Sequence, residues 1–147
     1  MTPTRRQALL AVACAAVARG AHAQDDQLTA AIDAFTGGKG ARDGRVQLDI
    51  AALVDNGNLV PVTVSVESPM SAADHVQAIA IFNERNPQRD VAVFTLGPRA
   101  GKAEVATRMR LATSQRLAAV ARLSDGSFWQ HRVDVVVTLA SCIEGEA

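Results

Sequence analysis

From Val46 to Leu139, apolar side chains keep returning at every second position. Val46, Leu48 and Ile50 alternate with polar neighbours, Val60, Val62, Val64 and Val66 do so again, and Val133, Val135, Val137 and Leu139 complete the series. A period of two marks a strand with one face on a core. Further strands are expected around His75 to Phe82, Val91 to Leu96, Glu104 to Leu111, Arg116 to Leu123 and Phe128 to Leu139. Pro61 marks its strand as an end or an edge, because proline cannot donate to a central ladder. The separators are turn chemistry: DNGN at 55–58, ESPMS at 67–71, ERNPQ at 84–88, GPRAG at 97–101 and SDGS at 124–127. About seven short strands, with no long helix between them, predict an all-β fold, an immunoglobulin-like antiparallel β-sandwich over residues 46–139.

Ahead of the strands the period changes. Leu28, Ile32 and Phe35 fall on one face of a short N-terminal helix, which Gly37 and Gly38 should end. The helix and a glycine-rich linker fill residues 24–45. The TGGKG stretch has neither the preceding strand nor the spacing of a phosphate-binding loop.

Residues 1–23 have a different character. Arg5 and Arg6 precede an apolar run from Ala8 to Ala18, and Ala21-His22-Ala23 is a small-x-small cleavage signal. This is an export signal peptide of twin-arginine type, which predicts a periplasmic location. No stretch approaches the ~18 consecutive apolar residues of a membrane anchor. Removing the leader takes Arg5, Arg6 and Arg19 and no acid, so a formally neutral chain becomes one with three net negative charges. No basic patch points to nucleic acid.

Cys14 leaves with the leader and Cys142 remains as an odd cysteine, five residues from the end of the sequence. It cannot form the inter-sheet disulfide of many such sandwiches, so Val, Ile and Leu side chains with Phe82 and Phe94 must hold the sheets together. Beyond Leu139, residues 140–147 contain no start of a further element and form an extended C-terminal arm. The three residues from Leu139 to Cys142 span roughly 10 Å when extended. A thiol carried that far clear of a sheet is poorly placed for packing and well placed for delivery into another protein's site.

Other candidates are weaker. His75 and His131 lie on different predicted strands with no matched third ligand, so no metal site is assigned. No serine, histidine and acid arrangement can be defended from spacing, and no catalytic residue is assigned. Phe128 and Trp129 should point to opposite faces of a strand, one ring to the core and the other free for an interface.

The blocks DAFTGGK, VQLDIAALVDNGNLVPVTVSVESPM, DHVQAIAIFNERNPQRDVAVFTLGP and GKAEVATRMRLATSQRLAAVARLSDGSFW, with the near-terminal cysteine, resemble the SoxY family of sulfur carriers in bacterial thiosulfate oxidation. The resemblance covers nearly the whole chain after the leader. It implies a periplasmic sandwich that pairs with a second sandwich protein, SoxZ, and catalyses nothing itself. It also implies that Cys142 is the point of covalent sulfur attachment, loaded by a haem enzyme and served by a hydrolase and a sulfur dehydrogenase. No cofactor beyond the sulfur or thiosulfate adduct is implied.

The tail departs from the family pattern, in which glycine pairs flank the cysteine. Here the arm is Ala140, Ser141, Cys142, Ile143, Glu144 and Gly145, followed by Glu146 and Ala147. Ile143 is β-branched and stiff, and the acids place like charge near an anionic adduct, which disfavours the thiolate. Two other readings stay open: a periplasmic thiol redox or sensor protein using Cys142, and a non-carrier paralogue acting as an immunoglobulin-like binding module.

Overall fold

The computed structural model describes residues 27–139. The leader expected over 1–23, the arm over 140–147 and Cys142 itself lie outside the described residues. Helix α1 spans 27–36. Nine strands follow: β1 (Arg42–Asp43), β2 (Val46–Asp49), β3 (Leu53–Asn56), β4 (Val60–Val66), β5 (Val76–Asn83), β6 (Asp90–Thr95), β7 (Glu104–Met109), β8 (Gln115–Leu123) and β9 (Phe128–Leu139). A turn of 3-10 helix, Pro98–Ala100, links β6 to β7.

The strands form two sheets. One has the order β1-β9-β8-β5-β6 with β3 also on β9, and the other has the order β2-β4-β7. All seven expected strands are present within a residue or two of their expected ends. The two additional strands, β1 and β3, are short and run parallel to β9, at its start (Arg42↔Trp129) and at its end (Leu53↔Val136). Between them the chain crosses to the other sheet to make β2. The expected linker over 24–45 therefore contains a strand, and the DNGN segment begins inside one.

Alternation explains the layer between the sheets. Val60, Val62, Val64 and Val66 of β4 meet Ile79 and Ile81 of β5, Leu117 and Ala119 of β8, and Val135 of β9, all buried. Burying an aliphatic side chain of this kind is worth ~1.5–3 kcal/mol, so these residues take over the work of the missing disulfide. Phe94 packs against this layer, but Phe82 does not. It lies on the outer face with Ala80, Ala118, Val120 and Phe128, beneath Leu28 and Ile32 of α1. Phe35 meets Phe82 and Phe128 edge-on, with ring centroids 5.9 Å apart in both pairs. The helix thus closes the outer face of β5 and β8, which are buried on both sides. Gly37 and Gly38, at φ 64° and 78°, end α1 as expected.

Candidate functional site

The expected site residues Ala140, Ser141, Cys142, Ile143, Glu144 and Gly145 lie outside the described residues, which end at Leu139, where the arm is expected to begin. β8 begins at Gln115, opposite Val135, so no β8 partner faces the last residues of β9. The hydroxyl of Ser114 takes that place: Oγ accepts from the Val137 N–H at 2.8 Å and can donate to the Val137 carbonyl at 3.4 Å. On the opposite edge β3 pairs with β9 from Val136 to Leu139. The Val136 N–H donates to the Ala52 carbonyl at 2.8 Å, and the Thr138 hydroxyl donates to the Asp55 carbonyl at 3.0 Å.

The final contact is a relay through a glycine. Gly57 N–H donates to the Leu139 carbonyl at 2.9 Å, and the Gly57 carbonyl accepts from Leu111 N–H at 2.8 Å. The Asn58 N–H donates to Asn56 Oδ1 at 2.9 Å, an Asx turn that sets the bend of this segment. β9 is therefore hydrogen-bonded on one side or the other as far as Leu139, the last described residue.

Two neighbouring loops are tied together by Asn86. Its Oδ1 accepts from Ala112 N–H at 3.0 Å and from Gln115 Nε2 at 2.8 Å, while its Nδ2 donates to the Arg110 carbonyl at 2.7 Å. Sequence reading missed Ser114, Gly57 and Asn86 as parts of this site. Each is a polar or small loop residue with no periodicity to single it out, although NG within DNGN signals a turn.

The histidines are used inside the fold. His131 Nδ1 accepts from the Leu48 N–H at 3.0 Å, a bond that crosses from one sheet to the other. His75 Nδ1 lies 3.1 Å from the Ser71 carbonyl. Among the described residues no group of His, Cys, Asp or Glu is arranged to hold a metal ion, and no helix is long and apolar enough to cross a membrane.

At the opposite end of β9, Phe128 is buried under α1 and Trp129 is half-buried against the inner layer. The Arg42 and Arg45 guanidiniums lie 4.8 Å and 5.8 Å from the centroid of the indole, so cations cover the ring expected to be free for an interface. Gly44, at φ 116°, leaves room for the indole, whose edge lies 3.5 Å from where a Cβ would stand. The Trp129 Nε1–H donates to Ser127 Oγ at 3.1 Å. That hydroxyl donates in turn to Asp125 Oδ1 at 2.6 Å. The Ser127 side-chain and backbone hydrogen bonds hold the Asp125 carboxyl below its ordinary range.

Known proteins resemble this chain as follows. The family described as "Sulfur oxidation protein SoxY" matches residues 32–142, the last of them Cys142. The sulfur carrier protein SoxY from Chlorobium limicola f thiosulfatophilum superposes with a TM-score of 0.66 at 30% identity, covering 78% of this chain and 94% of that one. A superoxide reductase (neelaredoxin) from Ignicoccus hospitalis shares the fold at 20% identity and a TM-score of 0.57, covering 64% of this chain and 80% of that one. The superoxide reductase from Nanoarchaeum equitans, at 13% identity and a TM-score of 0.55, covers 65% of this chain and 100% of its own. A search of curated protein sequences returns no significant match. With three quarters of its length matched, and with a solved relative whose strands overlay its own, the chain belongs to the SoxY family of sulfur oxidation proteins.

Proposed function

We propose that the chain is a periplasmic sulfur carrier that holds thiosulfate-derived intermediates covalently on Cys142 and presents them to Sox enzymes. The observation that carries this reading is the reach of the family match, which runs through the sandwich and on to Cys142. The hydrogen-bonded root at Leu139, three residues before the thiol, supports it: a firm base under a short segment suits delivery. Sulfur chemistry suits the residue, since a thiolate forms bonds to sulfur that can be cleaved again. Coupling thiosulfate to the thiolate forms an S–S bond and releases an electron pair, which a haem enzyme takes up. Water then cleaves the terminal sulfonate as sulfate, leaving a persulfide that a sulfur dehydrogenase can oxidise. The chain supplies the attachment point and no catalytic group, with a SoxZ-like sandwich as its heterodimer partner and a twin-arginine leader for export.

Intact-mass analysis of protein purified from its host during growth on thiosulfate tests this. A thiosulfate, sulfur or polysulfur adduct mapped to Cys142 is the expected result, and an unmodified thiol under those conditions would overturn it. Co-purification should also bring down a SoxZ-like protein at one-to-one stoichiometry.

A further inference from the structure

β7 closes the three-stranded sheet on one side, and among the described residues no strand pairs with its outer edge. The Val66 N–H donates to the Ala103 carbonyl at 2.9 Å, and these residues stand level when the pairing Ser65↔Glu104 is continued by one step. A level pair that bonds in this way exchanges both of its backbone groups, and such pairs recur at every second residue of an antiparallel ladder. Val105, Thr107 and Met109 therefore spend their N–H and C=O groups on β4, whereas those of Glu104, Ala106 and Arg108 point outward. No described residue bonds to these outward groups. β7 carries neither a proline nor a break in register, the usual guards of a free edge.

A period of two sorts the side chains of this edge. Ala103, Met109 and Leu111 are buried and Val105 and Thr107 half-buried, while Lys102, Glu104, Ala106, Arg108 and Arg110 are all exposed on the outer face. Positive charge prevails there. Over residues 97–112 the chain has Arg99, Lys102, Arg108 and Arg110 against Glu104 alone. None of the five is in an ion pair with another described residue. The backbone at Arg110 is held in place, because its carbonyl accepts from Asn86 and the next residue, Leu111, bonds to Gly57. At the centre Ala106 stands opposite Thr63, and these small side chains leave a groove of about 550 Å³ that Arg108 borders.

We infer that β7 is a docking edge for an extended acidic segment of another protein, which adds to the sheet as a further strand. Backbone groups supply the attachment and alternate side chains the selectivity. Directly opposed residues share a face of the sheet, so carboxylates of the segment stand opposite Arg108 and Arg110, and a neutral or basic residue stands opposite Glu104. The residues between them are apolar and continue the inner layer past Val105, Thr107 and Met109. Charge selects this occupant over a second copy of the chain. Antiparallel self-pairing centred on Ala106 sets Glu104 against Arg108 but also Lys102 against Arg110, so attraction at one pair of positions is offset at the next. An acidic strand meets both arginines without that offset. β6, the terminal strand of the other sheet, has Asp90 as its one charged residue and lacks this selectivity. Neither Cys142 nor a Sox enzyme takes part, so the edge stands or falls apart from the carrier role.

The test is an NMR titration of the isotope-labelled chain, from residue 24 on, with the peptide EVEVTVK blocked at both ends. Laid antiparallel on β7, the peptide sets its two acids opposite Arg110 and Arg108 and its lysine opposite Glu104. Saturable shifts along β7 are expected, with slowed amide exchange at Glu104, Ala106 and Arg108 and little change at Val105 and Thr107, whose N–H groups already serve β4. The peptide EEVVVTK has the same composition but cannot turn both acids to one face. It should bind about tenfold more weakly, and so should EVEVTVK to the chain carrying Arg108→Glu with Arg110→Glu, the order expected for two cross-strand charge pairs. Ala106→Pro removes an outward N–H without breaking a bond to β4, is compatible with an edge strand, and should abolish binding. Circular dichroism checks the fold of each variant, and the charge-reversed chain keeps the test decisive if the proline variant unfolds. Equal binding of the two peptides would reduce β7 to a charged surface, and absence of shifts along β7 at millimolar peptide would leave it without this ligand. A dimer of the chain alone that Ala106→Pro dissociates would give the edge to a second copy. Each of these three outcomes overturns the proposal.

Discussion

Replacing Ser114 by alanine removes the side chain that, among the described residues, continues the β8 edge past Val135. The substitution deletes the acceptor of the Val137 N–H, 2.8 Å away, and a longer contact at 3.4 Å to the Val137 carbonyl. Both groups are partly buried, so water can reach them once the hydroxyl is gone. The loss is then one net hydrogen bond, about 1 kcal/mol, without the larger penalty of a sealed orphan group. In a domain of this size that lowers the melting temperature by about 4 °C. The local effect is the sharper test. The β3 side of the root keeps its bonds, so the change falls on Val137, whose amide hydrogen should exchange about fivefold faster at an unchanged Val135, as 1 kcal/mol requires. Ser114→Thr keeps a hydroxyl and should restore most of the protection. Amide exchange followed by NMR at single residues gives both numbers. A lowered melting temperature with unchanged exchange at Val137 would refute the reasoning, since the hydroxyl would then be supporting some other part of the fold.

Three more outcomes can be checked by similar means. His131→Ala removes the acceptor that holds Leu48 to the opposite sheet and should cost about 1 kcal/mol in urea unfolding, whereas His131→Asn, whose Oδ1 can stand where Nδ1 stood, should lose less. Asn86→Ala strips the side-chain bonds to Ala112, Gln115 and Arg110 and should cost about 2–3 kcal/mol, with faster proteolysis in the loop 84–89. The Asp125 carboxyl is held below its usual value of 3.8 by Ser127, so its contribution is complete above that pH and is lost as the pH falls through its lower folded value. Asp125→Asn should therefore flatten the acid limb of the curve of stability against pH below about 3.8, and an acid limb of unchanged steepness would count against this assignment.

Much of this architecture is legible in the order of residues, and the parts that are not share a physical cause. Val60 to Val66 could be placed because one face meets the core and the other meets solvent, so burial is written into alternate letters. α1 could be placed because Leu28, Ile32 and Phe35 fall on one side and glycines follow. Its docking site could not, because the alanines beneath it, Ala80 and Ala118, look the same whether they face a helix or another sheet. The same ambiguity put Phe82 between the sheets, when its neighbour Ile81 occupies that layer. β1 and β3 escaped notice because two and four residues are too few to display a period, and their partner β9 lies far away in sequence. Cys142 drew attention through composition alone, as an odd thiol in a chain read as exported, and it lies outside the described residues. The support at Leu139 was not legible, because only the register of β3 with β9 brings Gly57 to it.

The double-sided pairing of β9 also bears on how the molecule carries load. Under the proposed carrier role, an enzyme that takes up Cys142 pulls at Leu139 along the axis of β9. The hydrogen bonds between antiparallel strands lie across that axis, so those that tie β9 to β8 from Val135 back to Phe128 share the force together. The pairings with β3 at one end and β1 at the other add resistance on the opposite edge. A hairpin end pulled sideways opens one bond at a time, whereas a long strand pulled lengthwise must slide whole. The register of the sandwich is therefore guarded against a pull applied at Leu139.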